Sequence, residues 1–201
     1  VNAGMRDAST GLVMTETIAQ RAEDDLIDAT LLARWREGDE RAATELVRRH
    51  APALARFAAS LGERDEIDEV VQDTFVRAFQ ALDGFRGESS LRTWLFTIER
   101  RLVLDRRRAG ARRREHEEND GSAADVPVGA TALDALLADE TERRLGDAVR
   151  RLTPLQREVC TLRVAEGRSY REIAAIAGTT EGAARVHYHN AVRAVKEYLD
   201  A

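Results

Sequence analysis

The sequence contains few cysteine, proline and aromatic residues. One of its 201 residues is cysteine (Cys160), three are proline and 5% are aromatic. A single cysteine excludes an intramolecular disulfide and a cysteine-rich zinc site. Few prolines and long runs of Ala, Leu, Arg and Glu favour helix over most of the chain, because those residues lose little side-chain freedom in a helix. The composition therefore predicts an all-α fold built from small helical bundles.

Long apolar runs are also missing. No segment approaches the roughly 20 apolar residues that a helix needs to cross a bilayer, and no signal-like segment opens the chain. His187 and His189 are two residues apart. On a helix they point about 200° away from each other, so they do not share a metal. We expect a cytoplasmic protein with no membrane insertion, no metal and no cofactor.

The period of the apolar residues divides the chain into four parts. Residues 1–23 lack a sustained period, which indicates a mobile N-terminal tail. A first helical domain follows over residues 24–113. Residues 114–131 are small and acidic with little to bury, which is typical of a flexible acidic linker. Helical periodicity resumes over residues 132–201 and predicts a second small helical domain.

Arginine is concentrated in one stretch of a chain whose net charge is -5. Between Glu99 and Glu115 there are eight arginines against three acids. On a helix, one apolar arc faces the core, while Phe96 and Val103 lie outside that arc, among arginines. The arc consists of Leu91, Trp94, Leu95, Ile98 and Leu102, and the flanking arginines are Arg92, Arg100 and Arg107.

This arrangement of Phe96 and its arginines indicates single-stranded nucleic acid as a partner. Guanidinium groups neutralise phosphates, and an exposed ring stacks on an unpaired base. The alternative is that Phe96 packs on a neighbouring helix and that the arginines form a solvated face.

The stretch "SYREIAAIAGTTEGAARVHYHNAVRAVKEYL", residues 169–199, has the layout of a helix-turn-helix. Ser169 can cap a short helix, Gly178 supplies the turn, and Thr179 or Thr180 can cap a second helix. The basic residues of that second helix share one face, which we predict to enter the major groove of DNA. They are Arg185, His189, Arg193 and Lys196. The periodicity alone is also compatible with any three-helix bundle.

Both halves of the chain, in this order, resemble extracytoplasmic-function (ECF) sigma factors, which are bacterial RNA polymerase initiation factors. The segment "DEIDEVVQDTFVRAFQALDGFRGESSLRTWLFTIERRLVLDRRR" is similar to their domain two. The segment "LTPLQREVCTLRVAEGRSYREIAAIAGTTEGAARVHYHNAV" is similar to their domain four. The resemblance implies a non-enzymatic factor that binds core RNA polymerase, directs it to promoters through the −35 and −10 elements, and promotes DNA opening.

The resemblance also implies partners and three sets of site residues. The partners are the clamp and flap of core RNA polymerase, double- and single-stranded promoter DNA, and an anti-sigma factor. Residues for the −10 element are Phe85, Arg86, Ser89, Ser90, Arg92, Phe96, Arg100, Arg101 and Arg107. Residues for the −35 element are Arg171, Thr180, Arg185, His189, Asn190 and Arg193. Residues for core polymerase are Asp65, Asp68, Glu69, Gln72, Asp73 and Phe75.

Three positions depart from the pattern of the family. Arg101 stands where the family usually has Asn, and Asn190 and Val192 stand at positions of the recognition helix that are typically basic. The base preferences of relatives therefore do not carry over to these sites.

Two other functions fit part of the sequence. The carboxylates Asp65, Glu66, Asp68, Glu69 and Asp73 suit Mg²⁺, as in a metal-dependent nuclease, but no His or Lys at catalytic spacing accompanies them. A helix-turn-helix regulator that is not a polymerase subunit would explain residues 169–199. It would leave the arginine-rich helix and the acidic linker without a task.

Overall fold

The computed structural model of the protein describes residues 5–118 and 140–200. These residues form eight α-helices and one 3₁₀ turn (Leu82–Gly84), and none of them lies in a β-strand. The helices are α1 (Met5–Arg36), α2 (Glu40–Leu61), α3 (Ile67–Gln80), α4 (Leu91–Glu118), α5 (Glu140–Arg150), α6 (Pro154–Val164), α7 (Tyr170–Ala177) and α8 (Glu181–Leu199). The predicted all-α fold is confirmed.

The helices depart from the predicted boundaries at two places. α1 begins at Met5, so the segment predicted as a tail over residues 1–23 is helical from that residue on. α4 continues to Glu118, into the predicted linker. Neither segment has a sustained apolar period, and a helix without one leaves no periodic signal in the sequence. The remainder of the predicted linker, and residues 132–139 of the predicted second domain, lie outside the described residues.

Side-chain caps fix the ends of the helix-turn-helix. The hydroxyl of Ser169 accepts a hydrogen bond from the backbone N–H of Glu172 (3.2 Å), and the Glu172 carboxylate accepts one from the N–H of Ser169 (2.8 Å). Gly178 ends α7 in the left-handed region, at φ 63°. The hydroxyl of Thr180 accepts from the N–H of Ala183 (3.1 Å) at the start of α8. The predicted caps Ser169 and Thr180 and the predicted turn at Gly178 are confirmed.

The N-terminal helices α1 to α4 form a bundle around apolar side chains. The largest apolar side chains that are almost wholly buried there are Leu46, Leu54, Phe57, Val70, Leu95, Phe96, Leu102 and Val103. Trp35 of α1 packs on Phe79 of α3, with ring centroids 4.8 Å apart. α4 packs against both α2 and α3, so these two helices set the position of the arginine-rich helix.

The C-terminal helices pack directly on this bundle. α6 lies against α2 and α7 lies against α4, and the buried apolar residues of both parts belong to one core cluster. The residues that the C-terminal helices add to this cluster are Val159, Leu162, Ile173, Ile176 and Ala184. We call this contact of α6 and α7 with α2 and α4 the closed packing.

Candidate nucleic-acid interface

The basic face predicted on the second helix of the helix-turn-helix is exposed. The side chains of Arg185 and Arg193 are 64% and 66% accessible, and His189 and Lys196 are also exposed. The ion pairs of the two arginines, Arg185 with Glu181 (3.2 Å) and Arg193 with Glu197 (3.8 Å), stay within α8. Such exposed pairs of neighbouring turns are weak, so both guanidinium groups can exchange their carboxylates for phosphates or base edges.

Tyr170, at the start of α7, supports this face. The guanidinium of Arg185 lies over its ring at 5.1 Å from the centroid, and that of Arg163 lies over the same ring at 4.7 Å. Tyr188 of α8 packs edge-on against Tyr170, with centroids 6.0 Å apart. No local pattern in the sequence indicates that Tyr170 and Arg163 support this face, because their contacts form where α6 and α8 meet α7.

The other residues expected at the −35 element have different settings. Arg171 is exposed on the first turn of α7. The hydroxyl of Thr180 caps α8, so Thr180 contributes to the fold by fixing the start of that helix. Asn190 is half-buried next to the buried Ala191.

Phe96 does not lie where the helical wheel predicted. It is 0% exposed and packs edge-on against Phe57 of α2, with ring centroids 5.0 Å apart. Val103, two turns further along, is also 0% exposed. α4 is therefore covered on two sides, because α2 as well as α3 packs against it. The prediction that Phe96 stacks on a base is wrong for this structure, and the alternative that it packs on a neighbouring helix is right.

The remaining residues expected at the −10 element fall into two groups. Arg86, Ser89 and Arg101 are exposed, and Phe85 is half-buried against Trp94, with centroids 4.9 Å apart. The second group is engaged within the protein and comprises Ser90, Arg100 and Arg107. Arg92 is half-buried and lines a cleft.

The engaged residues have specific partners. The hydroxyl of Ser90 accepts from the N–H of Thr93 (3.2 Å) and so caps α4. Arg100 donates from Nε to Glu158 of α6 (2.5 Å). Arg107 donates to the carbonyl of Leu61, which ends α2. The structure thus does not bring the nine predicted residues together on one free surface.

The acidic face predicted to meet core polymerase is on α3 and the turn before it. Asp65, Asp68, Glu69 and Gln72 are exposed, and Asp73 is half-buried. Phe75 is 5% exposed and stacks on Phe79 at 6.0 Å. Phe75 is therefore a core residue, and its predicted contact with polymerase is wrong for this structure. The reason is its helical position, four residues after the buried Val71 and three before the buried Ala78.

Arg106 of α4 ties this acidic face together. Its guanidinium lies 2.9 Å from Glu66, 3.0 Å from Asp73 and 3.8 Å from Glu69. Within the described residues there is no group of three or more acidic, histidine or cysteine side chains arranged to hold a metal ion. An arginine among these carboxylates opposes cation binding, which removes the main support for the nuclease interpretation.

Three buried carboxyl groups lie where the C-terminal helices meet the N-terminal bundle. Burial raises the pKa of Glu99 from 4.5 to about 9, and the negative charge of Glu166 adds to that effect. Burial also raises the pKa of Glu158, although the ion pair with Arg100 offsets part of the shift. Glu166 accepts a hydrogen bond from Arg56 of α2 (2.9 Å).

Comparison with known proteins identifies both parts of the chain. Residues 46–113 match the family model of Sigma-70 region 2, and residues 142–195 match that of Sigma-70, region 4. The chain is 31% identical over 169 residues to the ECF RNA polymerase sigma-E factor of Haemophilus influenzae, covering 81% of this chain and 89% of that protein. The chain belongs to the ECF RNA polymerase sigma factors. A second such relative, from Escherichia coli strain K12, is 30% identical over 182 residues, with 86% and 94% covered.

Two solved structures share the fold. The sigma factor RpoE in complex with the anti-sigma factor NepR, from Bartonella quintana, is 30% identical with a TM-score of 0.63 and covers 79% of this chain and 96% of that one. CnrH, solved in complex with the cytosolic domain of CnrY, is also 30% identical with a TM-score of 0.63, with 87% and 97% covered.

Membership of this family confirms the expected function. The protein is a transcription initiation factor that directs RNA polymerase to promoters, and it is not an enzyme. A helix-turn-helix regulator outside polymerase is not favoured, because the region 2 match covers the arginine-rich helix that such a regulator leaves unexplained. None of the described helices is both long enough and apolar enough to span a membrane.

Proposed function

We propose that α8 reads the −35 element and that its exposed basic face enters the major groove there. The observation that carries this assignment is the placement of Arg185, His189 and Arg193 on one accessible side of a helix capped by Thr180. Arg171, the residue after Tyr170, contacts the flanking phosphates, and Asn190 lies at the margin of the base-reading face.

The −10 element meets the turn before α4 and the start of that helix. Arg86, Ser89 and Arg101 are accessible and hold the DNA backbone, and Phe85 with Trp94 forms the aromatic surface nearest to them. Arg92, Arg100 and Ser90 join this surface once the closed packing separates. Arg107 supports it by holding the end of α2.

Core polymerase binds the acidic face of α3. Asp65, Asp68, Glu69 and Gln72 are accessible together, and Asp73 is held at the edge of the same face by Arg106. The polymerase clamp is the partner for this face, and the flap is the partner for the C-terminal helices. We assign the protein to the cytoplasm, where polymerase and promoters are found.

An anti-sigma factor is the further partner. The sigma factor RpoE, whose structure is similar, was solved in complex with the anti-sigma factor NepR. This chain covers 96% of that protein, which supports a partner of the same kind.

Run-off transcription with core polymerase tests the assignment of α8. Arg185→Ala should lower transcription from promoters with a −35 element. If Arg185 reads a base, the loss should be about 1–3 kcal/mol and confined to one promoter position. If it holds only a phosphate, the loss should be similar for all sequences, and the dependence on salt should become shallower.

The matched control is Arg48→Ala on α2. Arg48 is an exposed arginine paired with Glu45 three residues away, as Arg185 is paired with Glu181 four residues away. Full activity of Arg185→Ala on a −35-dependent promoter, or an equal loss in Arg48→Ala, would refute the assignment. Binding of promoter DNA without core polymerase, as tight as with it, would favour a regulator instead.

A further inference from the structure

The closed packing covers part of the surface that we assign to the −10 element. Arg100 is paired with Glu158 of α6 at 2.5 Å, and the hydroxyl of Thr93 donates to Glu172 of α7 at 2.8 Å. Arg92 lines a cleft of about 710 Å³ together with Glu166 and Arg168. DNA cannot reach this side of α4 until α6 and α7 move away.

Glu99 lies inside this contact without a partner. It is 0% exposed, and neither of its carboxyl oxygens has a hydrogen-bond partner among the described residues. It stands seven residues after Arg92, which is two helical turns, so both side chains leave the same side of α4. Its carboxyl is near enough to Glu166 to be affected by that charge. An ionised carboxylate in such a position loses its hydration without compensation.

The cations around Glu99 are already committed to other carboxylates. Arg56 of α2 lies 2.9 Å from Glu166, Arg100 of α4 lies 2.5 Å from Glu158, and Arg168 lies 3.1 Å from Glu172. His50 of α2 lies 2.9 Å from Asp28 of α1. The charged and titratable groups near the contact are Arg21, Glu23, Asp24, Asp25, Asp28, Arg49, His50, Arg56, Arg92, Arg100, Glu158, Glu166, Arg168 and Glu172.

We propose that Glu99 is a proton-operated latch of the closed packing. Glu99 is neutral and buried while α6 and α7 cover α4, and it releases its proton to water when they separate. Separation therefore ionises a carboxyl on the side of α4 that the −10 element uses, and ionisation in turn opposes closure. The control of closure by Glu99 does not depend on the proposed −10 contacts. The effect of that control on promoter opening rests on them.

The direction of the pH effect follows from the two states of Glu99. Its pKa is about 9 in the closed packing, and the ordinary value of 4.5 applies once it is hydrated. Between these values the closed state binds one proton more than the open state. Each increase of one pH unit thus raises the ratio of open to closed molecules by about tenfold, and acidification stabilises the closed packing.

Energy transfer within the full chain tests the latch in the absence of polymerase. Donor and acceptor dyes are attached through Gln80→Cys and Ala194→Cys, at two exposed positions, and Cys160→Ser removes the native thiol. The transfer efficiency is then followed between about pH 6 and about pH 8.5. Wild type should lose transfer as the pH rises, whereas Glu99→Gln, which keeps the shape of the neutral acid, should stay closed throughout.

A control variant completes the experiment. Glu45→Gln, on the exposed surface of α2, should follow wild type. The proposal is overturned if Glu99→Gln, shown by circular dichroism to be folded, retains the pH response of wild type, or if wild type shows no response. Run-off transcription with the same variants reports separately on the proposed DNA contacts, so failure of one does not imply failure of the other.

Discussion

At the scale of single residues, Phe96 is a core residue that packs on Phe57, and not an exposed ring available to a base. Its ring sits against Phe57 with no exposed surface, and therefore fills space that α2 and α4 share. Truncation of a fully buried phenylalanine removes apolar contact and leaves a cavity, and both effects act on the folded state.

We therefore expect Phe96→Ala to lower the free energy of unfolding by about 3–5 kcal/mol. Chemical denaturation followed by circular dichroism measures this loss. Phe85→Ala is the comparison, because Phe85 is only half-buried and should lose less. If Phe96→Ala were as stable as wild type and lowered the permanganate reactivity of the −10 thymines, Phe96 would stack on a base after all.

Tyr170 is the residue-scale feature of the helix-turn-helix. Its ring lies beneath the guanidinium groups of Arg163 and Arg185, and this contact restricts the side-chain conformations of Arg185. A cation over an aromatic ring at an exposed site is worth about 0.5–1 kcal/mol. Tyr170→Leu should therefore weaken −35-dependent transcription by roughly two- to fivefold.

Tyr170→Phe is the matched variant, since it keeps the ring and should retain activity near that of wild type. The comparison is made by run-off transcription at equal folded concentrations, with thermal melting as the check on folding. Equal loss in both variants would mean that the hydroxyl, and not the ring, carries the effect.

At the scale of helices, α3 and α4 act as one unit because Arg106 joins them. The guanidinium is close to Glu66 and Asp73 of the acidic face, while its own helix carries the arginines assigned to DNA. The surfaces proposed for polymerase and for the −10 element are thus fixed relative to each other by an ion-pair network as well as by the apolar core.

Glu69→Lys should weaken binding of core polymerase and leave the fold intact. Glu69 is 68% accessible and lies 3.8 Å from Arg106, so its charge is available to a partner and contributes little to stability. Titration of core polymerase with labelled protein measures the affinity. Glu37→Lys, at the exposed end of α1, is the control for the same change of charge. Unchanged affinity of Glu69→Lys would argue against α3 as the anchor.

The sequence predicted the elements with strong local signals and missed features that depend on packing. Ser169, Gly178 and Thr180 were found because a cap and a turn are chemistry of adjacent residues. The two-sided burial of α4 was missed because a helical wheel shows one apolar arc clearly, whereas Phe96 and Val103 are separated from it by arginines and by Glu99. Arg106, Tyr170 and Glu99 acquire their roles from helices distant in sequence, and no local pattern contains that information.

At the scale of the whole molecule, the closed packing connects region 2 and region 4. Arg100 and Glu158 form a buried ion pair across it, with side-chain exposures of 20% and 5%. Removal of one partner of such a pair leaves the other charge without compensation, which typically costs about 3–5 kcal/mol.

Glu158→Gln should therefore loosen the closed packing and increase the radius of gyration measured by small-angle X-ray scattering. Asp147→Asn is the control, since Asp147 pairs with Arg150 within α5 and not across the contact. An unchanged radius of gyration for Glu158→Gln would show that the apolar part of the contact holds the two regions together without this pair.

The single core that spans both regions has a consequence for the lifetime of the protein in the cell. Separation of α6 and α7 from α2 and α4 uncovers apolar side chains, among them Val159 and Leu162, which are otherwise inaccessible. Apolar surface of this kind is what proteases and chaperones recognise in opened chains. We therefore expect a molecule that closes again after leaving polymerase to resist proteolysis better than one that stays open without a partner.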